Sequence, residues 1–184
     1  MNSDALEQLK YPIGRFNAPK SINMEDVDYW ITDIEMLPAK LRQLVSTLSD
    51  TQLDTPYRPQ GWTVRQVVHH IPDSHLNSYI RFKWTLTEEK PTIKAYDEQA
   101  WANLFDTRQA PILHSLDFLQ ALHAKWVYLL RGLKPEDLQK SFIHPETGAE
   151  VRLDQNIAAY AWHGEHHYMH IKCLLERNNW INIE

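Results

Sequence analysis

Histidines are concentrated in two short stretches of this chain of 184 residues. Seven of its ten histidines fall between residues 69 and 75 or between residues 163 and 170: His69, His70, His75, His163, His166, His167 and His170. Neutral imidazole is the commonest metal ligand among side chains, and a metal held by three protein ligands keeps an open position for chemistry. The two stretches therefore predict a metal site, provided that the fold brings them together.

The spacing within the second stretch suits two ligands of one ion. His163 and His167 are four residues apart, so on a helix their rings lie one turn above each other. Both could then reach an ion at about 2.0–2.1 Å. The H-E-x-x-H pattern of metalloproteases is absent, because Glu165 lies about 160° around the helix from both histidines and cannot act as their base. By itself, the pair is more typical of a solvated histidine face, or of core histidines bonded to the backbone or to water, than of a metal site.

The first stretch offers three candidates for a further ligand. On a helical wheel His75 lies on the apolar face, His70 at its edge and His69 outside. The periodicity alone therefore favours His75 over His70. The same wheel for the last helix points His167 and His163 toward the core, leaves His170 marginal and places His166 outside.

A polar stripe accompanies His70 along its helix. It consists of Ser74, Asn77 and Arg81, which could line a wet pocket or form a solvated flank. Asn77 and Arg81 are candidate contacts for an anionic substrate, although ion pairing within the protein would equally explain Arg81. Asp73 is a candidate to orient a ligand imidazole, or a surface carboxylate.

Two alternatives to an enzyme remain open at this point. If His75 or Asp73 supplied a fourth ligand, the metal site would be closed and the protein would be a non-catalytic, metal-stabilised binding module. If no metal binds, the histidines serve only packing.

The elements that must position these residues are predicted to be helices. Apolar periodicity and capping signals predict four long amphipathic helices at about residues 24–48, 63–86, 113–132 and 155–178. Pro38 and Pro72 predict bends. Residues 87–112 form a long connection with a short helix at 97–104, residues 142–153 a small β-hairpin, and Asp154 is the predicted cap of the last helix. The fold class is therefore all-α, a four-helix bundle, preceded by an irregular arm at residues 1–20.

Composition bounds the class of function. The formal net charge of −5 and a pI near 6.0 argue against nucleic acid as a partner. No apolar run is long enough to span a membrane, and the first residues lack the pattern of a secretory signal. The single cysteine, Cys173, excludes an intrachain disulfide. We expect a cytoplasmic protein.

Three runs resemble the YfiT-type branch of the DinB-like superfamily. They are Gly-Trp-Thr-Val-Arg-Gln-Val-Val-His-His at 61–70, Asp-Ser-His-Leu-Asn-Ser-Tyr-Ile-Arg-Phe-Lys at 73–83, and Trp-His-Gly-Glu-His-His-Tyr-Met-His at 162–170. Residues 11–14, 56–58 and 96–101 match the same branch. The resemblance extends from about residue 11 to residue 180, and implies one DinB-like domain over residues 1–184.

The resemblance also implies a site and an activity. Carried onto this sequence, the family's ligands are His70, His163 and His167, which overrules the preference of the wheel for His75. The implied cofactor is a divalent metal, with zinc favoured over nickel. The implied activity is a metal-dependent hydrolase, or an S-transferase that joins a low-molecular-weight thiol such as bacillithiol to an electrophile. The implied partners are a small-molecule substrate and a second copy of the chain in a homodimer.

Overall fold

Helices dominate the computed structural model of the chain, which describes residues 3–181. In chain order its elements are α1 (Ser3–Lys10), α2 (Met24–Val45), α3 (Asp50–Leu53), α4 (Val64–Thr87), α5 (Glu98–Ala102), α6 (Phe105–Gln109), α7 (Ile112–Arg131), α8 (Pro135–Leu138), β1 (Ser141–Ile143), β2 (Glu150–Arg152) and α9 (Leu153–Arg177). The predicted all-α class is confirmed, as are the four long helices α2, α4, α7 and α9 and the small antiparallel hairpin before the last of them.

The four long helices form a bundle in which chain neighbours are not all spatial neighbours. Helices α2 and α4 each pack against both α7 and α9, so α2 and α4 lie diagonally opposite each other. This arrangement lets side chains of α4 meet those of α9 on one side and those of α7 on the other. No helix in the described part of the chain combines the length and apolar character needed to cross a membrane.

Local capping signals set the starts of α2 and α4 as predicted. The Asn23 side chain accepts a hydrogen bond from the Asp26 amide, and Thr63 forms a capping box with Gln66. The predicted cap of the last helix was wrong. Helix α9 begins at Leu153, with Arg152 as its cap, and the buried Asp154 instead accepts hydrogen bonds from the Arg152 guanidinium.

The N-terminal arm differs from its prediction. Residues Ser3–Lys10 form helix α1, which ends before Pro12 and Gly14. These breakers stop a helix that precedes them but do not prevent it. The rest of the predicted arm is irregular up to α2, and its first two residues lie outside the described part of the chain.

The connection between α4 and α7 contains more helix than predicted. The predicted short helix is present as α5, and Asp97 caps it, because its side chain accepts a hydrogen bond from the Ala100 amide. A second short helix, α6, follows at Phe105–Gln109. Both short helices pack against α4, so the connection covers the outer side of the helix that carries the first histidine stretch.

A layer of histidines separates two apolar clusters within the bundle. One cluster is centred on Phe82, Trp126 and Ile157, and the other on Leu41, Ile71 and Ile171. Along α4, α7 and α9 the histidines lie between the residues of the two clusters: His75, His123, His163, His166, His167 and His170. The core thus contains polar groups that must find partners, since unpaired buried polar atoms are costly.

A glycine in α9 permits close packing beside this layer. A Cβ on Gly164 would lie 2.5 Å from Leu37 Cδ2 and 3.5 Å from His75 Cε1. Glycine normally weakens a helix interior, but here it allows α9 to approach both α2 and the His75 ring. Close packing therefore requires glycine at position 164, directly after His163.

Candidate metal centre

The structure brings His70, His163 and His167 together. One ring nitrogen of each lies within 4.8 Å of the other two. The Nε2 atoms of His70 and His163 are 3.3 Å apart, which is about the separation of two ligands in a tetrahedral zinc site with bonds of about 2.0–2.1 Å. The three imidazoles, drawn from α4 and α9, could thus hold one ion.

Burial keeps these three imidazoles neutral. Desolvation lowers the pKa of His70 to about 4, and it lowers the pKa of His163 and His167 well below the ordinary value. Neighbouring imidazoles lower the pKa of His163 and His167 further. A metal binds the unprotonated ring nitrogen, so at neutral pH no proton has to leave before the three rings can act as ligands.

Trp62, in the loop before α4, covers two of the three rings. Its ring lies 4.7 Å from that of His70 and is stacked at 6.2 Å on that of His167. The indole N–H donates a hydrogen bond to the Gln99 side chain in α5. Trp62 therefore forms one wall of the cavity that the three histidines line.

Two cavities meet at His163. The first, of about 320 Å³, is lined by His70, His163 and His167 together with Tyr57 and Trp62. The second, of about 680 Å³, is lined by Ser74, Arg81, Tyr160 and His163 among others. The Ser74 hydroxyl lies 3.4 Å from His163 Nε2. An ion held by the three imidazoles would therefore face free space into which water or a substrate could enter.

Arg81 is a buried cation without an anionic partner. It is only 8% exposed and lines the second cavity. One guanidinium nitrogen is 3.4 Å from the Tyr160 hydroxyl, and Nε has no partner within residues 3–181. In the same range no carboxylate forms an ion pair with it. Ion pairing, the alternative explanation of Arg81, does not account for its position.

Within the described residues, the other polar candidates of α4, Asn77 and Asp73, form no hydrogen bond with the three imidazoles. The Asn77 amide donates a hydrogen bond to the Asp73 carbonyl one turn earlier. Within the described chain, no imidazole forms a hydrogen bond with the Asp73 carboxyl. Burial, and secondarily the charge of Asp106, raise the pKa of Asp73 to about 6.

His75 lies behind the site instead of in it. Its Nε2 is 3.2 Å from His163 Nδ1, and its Nδ1 is 2.9 Å from His123 Nε2. Both of its nitrogens are therefore directed away from the point that the other three rings share. The wheel identified His75 as the most inward histidine of α4, which it is, but the ring that faces the cavity is His70.

Three histidines predicted to be outside or marginal are buried. His166 is covered by Tyr11 and stacks on Trp162, and His170 Nε2 lies 2.9 Å from the Lys10 carbonyl. His69 contacts the Ser115 hydroxyl and the Ala110 carbonyl. The wheel misjudged them because it considers only the bundle core, whereas α1 and the segment before α7 add a second layer outside it.

Comparisons with known proteins agree with this architecture. The family model described as the DinB superfamily matches residues 33–171. Proteins from Bacillus cereus (strain 03BB102) and Bacillus mycoides (strain KBAB4), both named "Putative metal-dependent hydrolase", are 54% and 53% identical to this chain over 175 residues, which are 95% of this chain and all of each relative. A solved structure of YfiT from Bacillus subtilis, described as "a probable metal-dependent hydrolase with an unusual four-helix bundle topology", is 49% identical, with a TM-score of 0.93 over 95% of this chain and 99% of that one.

Proposed function

This chain belongs to the DinB superfamily, and we propose that it is a metal-dependent enzyme that acts on a small molecule at His70, His163 and His167. The observation that carries the proposal is the convergence of three neutral ring nitrogens within 4.8 Å at the edge of two cavities. Nitrogen donors of this kind suit zinc, and also nickel. We propose zinc, because three imidazoles with room for a further ligand are typical of catalytic zinc.

In such a site the histidines, Trp62 and Arg81 would each have a separate role. His70, His163 and His167 would hold the ion, which when bound favours the deprotonated form of a water or thiol beside it. Trp62 shields one side of the rings from bulk solvent. Arg81 supplies a fixed positive charge in the larger cavity, where it would orient an anionic group of the substrate.

Hydrolysis is the first candidate reaction, in keeping with the names of the relatives. Water adds to an ester or amide carbonyl carbon, the bond to the alcohol or amine breaks, and a carboxylic acid is released. Thiol transfer is the second candidate, favoured by the two cavities that share His163, since that reaction needs space for a thiol and an electrophile. In it a carbon–sulfur bond forms, a carbon–halogen bond breaks, and halide and a proton are released.

A substrate panel tests the proposal and separates the two reactions. Protein purified without a histidine tag would be loaded with zinc and assayed on esters and amides, and in parallel on bacillithiol with monobromobimane. We expect turnover on one of the two sets, and its loss after chelation and its return with added zinc. Turnover on neither set, with zinc bound, would contradict the enzymatic proposal.

Arg81→Gln should selectively impair substrates that carry a carboxylate. A charged hydrogen bond contributes about 1.5–3 kcal/mol, so we expect KM for a 4-nitrophenyl hemisuccinate ester, or for bacillithiol, to rise about 10–100-fold. For neutral 4-nitrophenyl acetate, or a neutral thiol, KM should change by less than about threefold. Lys83→Gln, which removes an exposed cation from the same helix, is the control. Equal losses on both kinds of substrate would assign Arg81 a structural role instead.

A further inference from the structure

A chain of imidazoles runs from the candidate metal centre across the bundle. His163 Nδ1 contacts His75 Nε2 at 3.2 Å, His75 Nδ1 contacts His123 Nε2 at 2.9 Å, and His123 Nδ1 contacts the Ile34 carbonyl oxygen at 2.6 Å. The four residues come from α9, α4, α7 and α2, one from each long helix. His75 and His123 are at most 1% exposed, so water does not compete for these contacts.

The carbonyl at the end of this chain fixes the direction of every hydrogen bond in it. A carbonyl oxygen only accepts, so His123 Nδ1 must carry the hydrogen. Neutral His123 then accepts at Nε2 from the Nδ1–H of His75. Neutral His75 in turn accepts at Nε2 from the Nδ1–H of His163. The last ring is thereby left with its lone pair on Nε2, the atom that faces His70.

A proline makes the anchoring carbonyl available. In an α-helix the carbonyl of residue 34 would accept from the N–H of residue 38, but residue 38 is Pro38, which has no N–H. The Ile34 carbonyl therefore lacks its helical partner, and His123 Nδ1 takes that place. Pro38, which the sequence predicts to bend α2, thus leaves the Ile34 carbonyl oxygen free to accept the last hydrogen bond of the imidazole chain.

A second, shorter chain leads to His167. His170 Nε2 lies 2.9 Å from the Lys10 carbonyl at the end of α1, and His170 Nδ1 lies 3.4 Å from His167 Nδ1. The last carbonyls of a helix have no partner within it, so the Lys10 oxygen is free to accept. By the same reasoning His170 accepts at Nδ1, His167 donates from Nδ1, and the lone pair of His167 lies on Nε2. This 3.4 Å contact between His170 and His167 is longer than the 3.2 Å contact between His75 and His163.

We propose that His75, His123 and His170 are positioning residues that fix the tautomers of His163 and His167, so that both present an Nε2 lone pair before any metal binds. The role of these residues in metal binding rests on the proposed function. The tautomers themselves are a property of the metal-free protein and do not depend on that function. Metal-binding histidines commonly donate their other N–H to a carboxylate or carbonyl; here other histidines relay that role to carbonyls of α2 and α1.

Tautomers in the metal-free protein test the inference directly. Long-range nitrogen–proton NMR spectra of uniformly labelled, untagged protein at pH 7.5 distinguish Nδ1–H from Nε2–H rings. We expect Nδ1–H at His163, His167, His75 and His123, and Nε2–H at His170. Exposed His114 serves as the reference for an unconstrained ring. Nε2–H at His163 in the metal-free protein would overturn the proposal, whether or not the protein proves to be an enzyme.

Substitution of His123 tests the consequence for the metal. His123→Phe keeps a ring but removes both nitrogens, and we expect cobalt affinity, measured by chelator competition, to fall about 10–100-fold. His123→Gln can still donate to Ile34 and accept from His75, so it should stay within about threefold of wild type. Leu122→Ala, a buried neighbour on α7, controls for loss of packing and should leave the affinity unchanged. Wild-type affinity in folded His123→Phe would contradict the proposal.

Discussion

His70→Ala should lower the affinity for zinc or cobalt by more than about 100-fold. Structural zinc sites with four ligands bind with about 10–16 kcal/mol, which is about 2.5–4 kcal/mol for each ligand. Removing one of three donors should therefore cost about two to three orders of magnitude in affinity. His70 is the ligand to remove because its Nε2 faces His163 and because neither imidazole chain passes through it, so the rest of the site stays intact.

The neighbouring histidine provides a matched control. His69 is buried next to His70 on α4, but its ring faces Ser115 and Ala110 on the outer side of the helix. His69→Ala should therefore destabilise the protein without changing metal affinity. Both variants would be titrated with cobalt, purified without a histidine tag because clustered histidines capture nickel from resins. Equal affinities in His70→Ala and wild type would refute the metal centre.

The sequence predicted the parts of the fold that local interactions decide. The starts of α2 and α4 follow from capping side chains within four residues of each other, and they were found where expected. Helix α1 was missed because its eight residues are too few to be stable alone. It is held by contacts that are distant in sequence, among them the bond between the Lys10 carbonyl and His170.

The choice between His70 and His75 shows why the site could not be predicted from periodicity. A helical wheel measures how far a side chain points inward, and by that measure His75 is the better candidate. Whether an inward ring faces a cavity or another ring depends on the two helices opposite it. His75 faces His123 of α7 and His163 of α9, and only the assembled bundle defines that. The family resemblance carried this information; the spacing did not.

The histidine layer also makes the metal-free protein sensitive to acid. Burial lowers the pKa of His70, His123 and His170 to about 4, and lowers that of His75, His163 and His167 in the same direction. In the unfolded chain each would titrate near 6.5. Below pH 6.5 the unfolded state thus binds more protons than the folded state, and stability falls as the pH decreases. Asp73, with its pKa raised to about 6, acts in the opposite direction, but it is a single group.

We therefore expect the chelator-treated protein to unfold between about pH 5 and 6. At pH 5, a histidine with a folded pKa of about 4 destabilises by roughly 2 kcal/mol, so three or four of them consume much of a typical stability of about 5–15 kcal/mol. Circular dichroism across a pH series measures the midpoint. Saturating zinc should move this midpoint to lower pH, because the ion binds only neutral imidazoles.

Two variants control for the origin of the acid sensitivity. Exposed His114→Gln should leave the midpoint unchanged, whereas His123→Gln, which removes one buried titrating ring, should lower the midpoint pH. A metal-free protein that stays folded at pH 4.5 would show that the layer is hydrated and able to take up protons.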